Sequence, residues 1–157
     1  VGPLASMIQR ERVVDYIQKG IDSGAKLLIG GNEFPKGLST GAYISPTVFA
    51  DVDREMVIAK EEIFGPVLCM IAYESIDEAI EIANELEYGL SSAVWAENTE
   101  EAIKIAHRLR AGQCFIQGSY FRLNAPFGGY KGSGNGREWG EAGLSEYQEL
   151  KAIVLPD

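Results

Sequence analysis

The residue types that could do chemistry fall in three places. The first is Lys60-Glu61-Glu62-Ile63-Phe64-Gly65-Pro66-Val67, two adjacent carboxylates ahead of a Phe-Gly-Pro turn. A carboxylate there can accept hydrogen bonds from a pair of ribose hydroxyls, and Phe64 can pack on a flat heterocycle. The plain alternative is a solvated acidic turn with Phe64 in the core, and pattern alone favours it. The second is the glycine-rich run from Pro126 to Glu138, PFGGYKGSGNGRE. It looks suited to phosphate, yet it fits neither standard template. The glycines lie well past a strand, unlike a dinucleotide fingerprint, and Lys131 precedes Gly132 where a phosphate loop needs Gly-Lys-Ser/Thr. A crossover packed tightly beneath other backbone is the preferred reading. The third is Ala111-Gly112-Gln113-Cys114. Cys114 follows a helix exit, where the macrodipole disfavours a thiolate, so core packing is expected rather than nucleophilic attack.

Composition narrows the partners. The 157 residues carry a formal charge of −9, so phosphate backbones and anionic lipid surfaces are poor partners and neither nucleic acid nor membrane binding is expected. Residues 102–137 nevertheless contain no Asp or Glu, while Lys104, Arg108, Arg110, Arg122, Lys131 and Arg137 all lie there. A local anion site is one reading of this stretch; ordinary surface charge is the preferred one. Cys69 and Cys114 stand far apart in apolar surroundings and His107 is the only histidine, which argues for reduced thiols and against zinc. The chain starts at Val1, with Met7 its first methionine and no signal-peptide pattern, so it reads as a piece of a longer polypeptide.

The elements that must position these residues follow from periodicity. Residues 6–23 read as an amphipathic helix with Met7, Val14, Ile17 and Ile21 on one face, and 26–29 as a short strand. Pro46 leaves 43–50 an edge or irregular strand. The apolar run 67–73 reads as a strand buried on both faces. Ser75 with Glu78 forms a capping-box pattern opening a helix through Leu86. Strand 91–96, a helix capped by Asn98 or Thr99 and running through Arg110, and strand 114–117 follow. EAIEIANEL from Glu78 and EAIKIAHRL from Glu101 form a near-repeat in which Gly89 matches Gly112. The alternation predicts an α/β fold, a βαβαβ part of a parallel sheet with right-handed crossovers. Seven glycines between Gly128 and Gly143 mark a region governed by backbone. A last strand is expected over 147–155, free to pair elsewhere, with another subunit for instance.

KEEIFGPV, YGLSSAVW and APFGGYKGSGNGRE, in this order, resemble successive signatures of the C-terminal third of the aldehyde dehydrogenase superfamily. The opening GPL, GAKLLIGG and ISPTVFADV are similar too, and YESIDEAIEIAN leans toward the betaine-aldehyde or aminoaldehyde branch. The resemblance implies oxidation of a small aldehyde to a carboxylate, by hydride transfer to NAD or NADP and hydrolysis of an enzyme thioester. Carried over by motif, Glu62 would bind the nicotinamide ribose and Phe64 would pack beside the nicotinamide. Glu138 would relay protons, while Tyr120, Phe121 and Phe127 would line the aldehyde tunnel. Residues 1–143 would belong to the catalytic domain and 144–157 to an oligomerisation arm of a cytoplasmic homo-oligomer.

The family's nucleophilic cysteine precedes EEIFGPV, whereas Cys69 and Cys114 follow it. The nucleophile and the nucleotide-binding domain are therefore expected in the missing N-terminal part, and these residues alone are expected to be inactive. Gln117 stands where relatives carry asparagine, a departure within the expected tunnel. A truncated, non-catalytic relative acting as an interaction module is the alternative, and an unrelated anion-binding α/β domain a third.

Overall fold

The computed structural model describes residues 1–156, which form two compact units, Val1–Tyr73 and Glu74 onward. The first opens with α1 (Met7–Asp22), where the Ser6 hydroxyl accepts a hydrogen bond from the Gln9 amide at 3.1 Å and satisfies a free donor of the first turn. The buried stripe of α1 is Val13, Tyr16, Ile17 and Gly20, whereas Met7 and Ile21, expected inside, are exposed. The helix is rotated from the expected face because Gly20 admits Phe49 and Ile58, which approach where a side chain would stand.

Strand β1 (Lys26–Ile29) pairs antiparallel with β2 (Thr47–Ala50), with an irregularity between Leu27 and Ile29. After the short helix α2 (Val57–Lys60), β3 (Val67–Cys69) pairs parallel with β2, giving the order β1-β2-β3. Pro46 falls just before β2, where its missing N–H costs the ladder nothing. Val13, Ile17 and Phe49 are fully buried at the centre of this core, with Ile58 and Ile63 beside them. The strand expected over 67–73 is shorter than its apolar run and is not buried on both faces: Leu68 is 57% exposed and Met70 42%. Val67, Cys69 and Ile71 pack on the core while the alternate residues Leu68 and Met70 face away from it, so one face of the strand is covered.

In the second unit, α3 (Ile76–Glu85) and α4 (Thr99–Ala106) are capped by the Ser75 hydroxyl and the Asn98 side-chain oxygen, which accept from the amides three residues on at 3.2 and 2.9 Å. The Glu78 carboxylate reaches back to the amide of Glu74, one residue beyond the expected capping-box partner. Helix α4 ends earlier than expected; residues 107–109 continue as tight turns, the Arg108 and Leu109 amides bonding three residues back. Strand β4 (Ser91–Val94) pairs parallel with β5 (Gln113–Ile116), and α4 connects them as a βαβ step. The single sheet expected through all three parallel strands is not formed: β3 and β4 belong to different sheets.

The near-repeat has a structural counterpart. The Gly112 amide donates to the Gly89 carbonyl at 3.0 Å, and Asn84 bonds the backbone of Arg108 and Arg110, so the ends of the two helical copies are tied together. The glycine-rich stretch contains a short 3-10 helix (Lys131–Ser133) and then α5 (Gly140–Ser145). Residues 148–156 form no strand; Leu150 is 98% exposed and Val154 88%. The apolar alternation that predicts a strand there finds no ladder partner among the described residues, and a strand does not exist without one. Among these residues no helix is long and apolar enough to cross a membrane.

Candidate functional site

In the first unit the site is the turn between α2 and β3. Three side chains of α1 grip it. Gln9 Nε2 donates to the carbonyls of Ile63 and Phe64 at 3.2 and 3.0 Å, Arg12 Nη2 donates to the Glu62 carbonyl at 2.8 Å, and the Tyr16 hydroxyl donates to the Glu61 carboxylate at 2.6 Å. The adjacent carboxylates are thereby divided in role. Glu61 is an anchor, while the Glu62 side chain is exposed and takes no hydrogen bond among the described residues.

Phe64 is not in the core, the arrangement favoured by pattern alone. It is 71% exposed, and its backbone is left-handed at φ +58°. For a bulky residue this conformation costs on the order of 1–3 kcal/mol, and it persists only where the surroundings hold it. Ile63 turns inward in its place, 8% exposed, between two outward residues. A free carboxylate and an exposed ring two residues apart suit a polyhydroxylated, flat ligand: the carboxylate accepts from vicinal hydroxyls and the ring covers a heterocycle face.

In the second unit, Phe127 and Glu138 form an isolated antiparallel bridge, each amide donating to the other's carbonyl at 2.8 and 2.7 Å. This bridge fixes the two ends of the glycine-rich loop and places Glu138 on an open cleft of about 320 Å³, beside Leu90, Arg137 and Glu146. Next to it lies an aromatic cluster. The Trp139 ring stands edge-on to Phe121 at 4.5 Å and stacks on Phe127 at 4.9 Å, and Phe121 stacks on Phe115 at 6.3 Å. Phe121 and Phe127, both named from the sequence, are thus brought together, their rings 6.1 Å apart. Tyr120 is not with them; it is 88% exposed and makes no ring contact among the described residues.

Trp139 and Phe115 were not singled out by sequence reasoning. The available signal for Trp139 was its position directly after Glu138; the left-handed backbone that swings it onto Phe127, φ +61°, could not be read from residue types.

The glycine-rich loop is structural, as expected. A Cβ on Gly112 would lie 1.6 Å from the Gly128 carbonyl oxygen. Its cations serve the backbone: Lys131 Nζ donates to the carbonyls of Asn84 and Leu86 at 2.7 and 2.8 Å, closing the end of α3, and Arg137 Nη1 donates to those of Gly129 and Gly136. Each keeps donors beyond these bonds, and Arg137 lines the cleft beside Glu138. Cys69 lies half-buried on β3, its thiol directed at the Ile58 carbonyl, and burial pushes its pKa up, which makes it a poor nucleophile. Cys114 is half-buried in β5. Gln117, beyond that strand, has left-handed backbone and bonds the Ala96 carbonyl.

Parallel and antiparallel pairs in small sheets, flanked by capped helices, define an α/β protein with a free carboxylate–aromatic turn and, in the second unit, an open cleft that holds Glu138 and Phe127. The chain belongs to the aldehyde dehydrogenase family, whose model matches residues 1–153. It is 49% identical over 154 residues to a 3-succinoylsemialdehyde-pyridine dehydrogenase of a Pseudomonas species, covering 98% of this chain and 32% of that protein. Among solved structures, an aldehyde dehydrogenase of Mycobacterium tuberculosis complexed with NAD+ is 49% identical, with a TM-score of 0.94 over 99% of this chain and 32% of that one. A cysteine-to-alanine mutant of aldehyde dehydrogenase C from Pseudomonas syringae, complexed with NAD+ and octanal, is 52% identical, with a TM-score of 0.94 over 98% of this chain and 32% of its own. The chain thus spans about a third of the length of these relatives.

Proposed function

We propose that these residues are the C-terminal part of an NAD(P)-dependent aldehyde dehydrogenase that converts a small aldehyde to its carboxylate through an enzyme thioester. The observation that carries this reading is the turn at 61–64, where an exposed Phe64 in left-handed backbone stands beside the unengaged Glu62 carboxylate. NAD(P)+, when bound, supplies the hydride acceptor. Glu62 accepts hydrogen bonds from the nicotinamide ribose hydroxyls, and Phe64 covers one side of the adjoining ring and excludes water from it. Phe121 and Phe127, supported by Trp139, line the passage of the aldehyde, with Tyr120 at its exposed mouth. Glu138, on the cleft beside Phe127, moves a proton during thioester hydrolysis. The nucleophilic thiol is neither Cys69 nor Cys114, and with the nucleotide-binding domain it lies in another part of the polypeptide.

Residues 1–143 then belong to the catalytic domain, and 144–157 form an arm through which a cytoplasmic homo-oligomer assembles. The exposure of Leu150, Ile153 and Val154 supports an arm of this kind. The same exposure supports the second reading, a non-catalytic interaction module. For the substrate, the segment beginning at Tyr73 favours a betaine-aldehyde or aminoaldehyde.

Two measurements test the proposal. The purified 157-residue chain, given NAD+ or NADP+ and a panel of aliphatic, aromatic and aminoaldehydes, is expected to produce no NADH or NADPH; sustained turnover by the chain alone would refute it. In the complete polypeptide, Glu62→Gln is expected to raise KM for the cofactor about tenfold, because a neutral amide accepts from hydroxyls more weakly than a carboxylate. The interaction module is favoured instead if the upstream reading frame encodes neither a cofactor domain nor a cysteine nucleophile.

A further inference from the structure

Gln9, Arg12 and Tyr16 lie along one side of α1, at the i, i+3, i+7 spacing that aligns side chains on a helix. Between them they engage four consecutive residues of the turn: the carboxylate of Glu61 and the carbonyls of Glu62, Ile63 and Phe64. Among the described residues no main-chain donor meets these three carbonyls, so the α1 side chains supply the bonds within the protein that restrain the turn. Packing acts in the same direction. Gly65 lies so close to Val13 of the same helix that a Cβ there would stand 2.6 Å from a Val13 methyl. Donors and close contact together hold Phe64 in the left-handed region, which directs its ring outward and leaves Glu62 free.

From this geometry we infer that Gln9 and Tyr16, with Arg12 between them, are positioning residues that hold the 61–64 turn ready for the nicotinamide–ribose end of a dinucleotide. The inference rests on the assignment of Glu62 and Phe64 to that ligand. A preformed turn binds with its intrinsic affinity. A turn that samples other shapes binds more weakly in proportion to the fraction of time it is correctly shaped. Removing the two Gln9 bonds, and with them most of the restraint on Phe64, is expected to lower that fraction about tenfold; removing the single Tyr16 bond, about threefold.

The test uses Gln9→Ala, Gln9→Glu and Tyr16→Phe. Gln9→Glu keeps side-chain length and cannot donate, and Tyr16→Phe removes one oxygen atom, which guards against a result caused by misfolding. In the isotopically labelled chain, the amide–Hα coupling and Cα shift of Phe64 report its left-handed backbone. In the complete polypeptide, NAD+ affinity is measured by titration, and KM and kcat are determined separately. The expected result is a left-handed signature nearly lost in both Gln9 variants and reduced in Tyr16→Phe. NAD+ should bind about tenfold more weakly in both Gln9 variants and about threefold more weakly in Tyr16→Phe, with kcat at saturation changed less than twofold. If the Phe64 signature and NAD+ affinity both persist, the positioning role is overturned. If Glu62→Gln weakens NAD+ binding while the α1 variants do not, the ribose assignment stands and the positioning role alone fails. If the signature is lost and neither the α1 variants nor Glu62→Gln affects NAD+ binding, the ribose assignment fails and the inference falls with it.

Discussion

Replacing Gly112 with alanine tests the packing of the glycine-rich loop directly. The new Cβ would stand 1.6 Å from the Gly128 carbonyl oxygen and 2.8 Å from its carbonyl carbon, so the two segments must part by about 1.4 Å to reach even a 3.0 Å contact. Both partners are backbone, and neither can turn aside as a side chain would. Gly112 is also tied through its amide to the Gly89 carbonyl, which accepts from Tyr130 as well at 2.9 Å. Forcing one extra carbon into a packed site costs about 1–3 kcal/mol. Separation also breaks the Gln113 Nε2 bond to the Pro126 carbonyl and one bond to the Gly89 carbonyl, each worth about 1 kcal/mol. Gly112→Ala should therefore cost about 3–5 kcal/mol in chemical denaturation. Gly128 adjoins Phe127, so near-ultraviolet circular dichroism and tryptophan fluorescence should report disturbed packing of Phe127 on Trp139. Two controls separate space from backbone conformation. Gly2 faces open space, and Gly2→Ala should lie within about 0.5 kcal/mol of the parent. Gly24 also faces open space but has φ +90°, and Gly24→Ala should cost about 1 kcal/mol. A Gly112→Ala chain within 0.5 kcal/mol of the parent, with unchanged aromatic signals, would refute the packing argument.

Asn98→Ala should cost about 1 kcal/mol, measured by denaturation, because the α4 cap at the Glu101 amide is lost. Lys131→Met should remove about 1 kcal/mol and lower hydrogen-exchange protection in the last turn of α3, where its ammonium closes two carbonyls. Cys69 should react more slowly with a thiol-specific disulfide reagent in the folded chain than in the unfolded one, since burial raises its pKa. The sign follows from linkage. The folded chain holds that proton more tightly, so the stability it contributes is complete below the unfolded thiol's pKa and is lost as pH rises through the higher folded value. Alkaline denaturation of a Cys69→Ala variant should consequently lose part of its pH dependence.

The local features of this chain are legible because the interactions that specify them span a few residues. Ser6, Ser75 and Asn98 cap helices by bonding amides three positions away, and each is recognisable from its place before a helical pattern. Gly89 and Gly112 are visible as equivalent stops of a near-repeat before their contact is known. Where burial depends on distant partners, periodicity misleads. The α1 stripe is rotated because Phe49 and Ile58 approach Gly20, and nothing within the helix reports them. The apolar run at 67–73 and the alternation at 147–155 signal strand propensity correctly. Propensity supplies no ladder partner, however, and β3 lies at an edge while 148–156 pairs with nothing among the described residues.

The candidate site divides in the same way. Its motifs, and the family they identify, are properties of residue order and needed no coordinates. Which carboxylate of the Glu61–Glu62 pair is free, whether Phe64 faces in or out, and which carbonyls Lys131 and Arg137 engage were decided only in three dimensions. The Glu61–Phe64 turn is shaped by donors 45 to 55 residues away on α1. Lys131 is engaged by carbonyls 45 and 47 residues distant at the end of α3, and Trp139 meets Phe121 and Phe127 through a left-handed backbone step. A residue's type sets which bonds it can make. The fold sets which of them are already taken, and the groups left over are those available to a ligand.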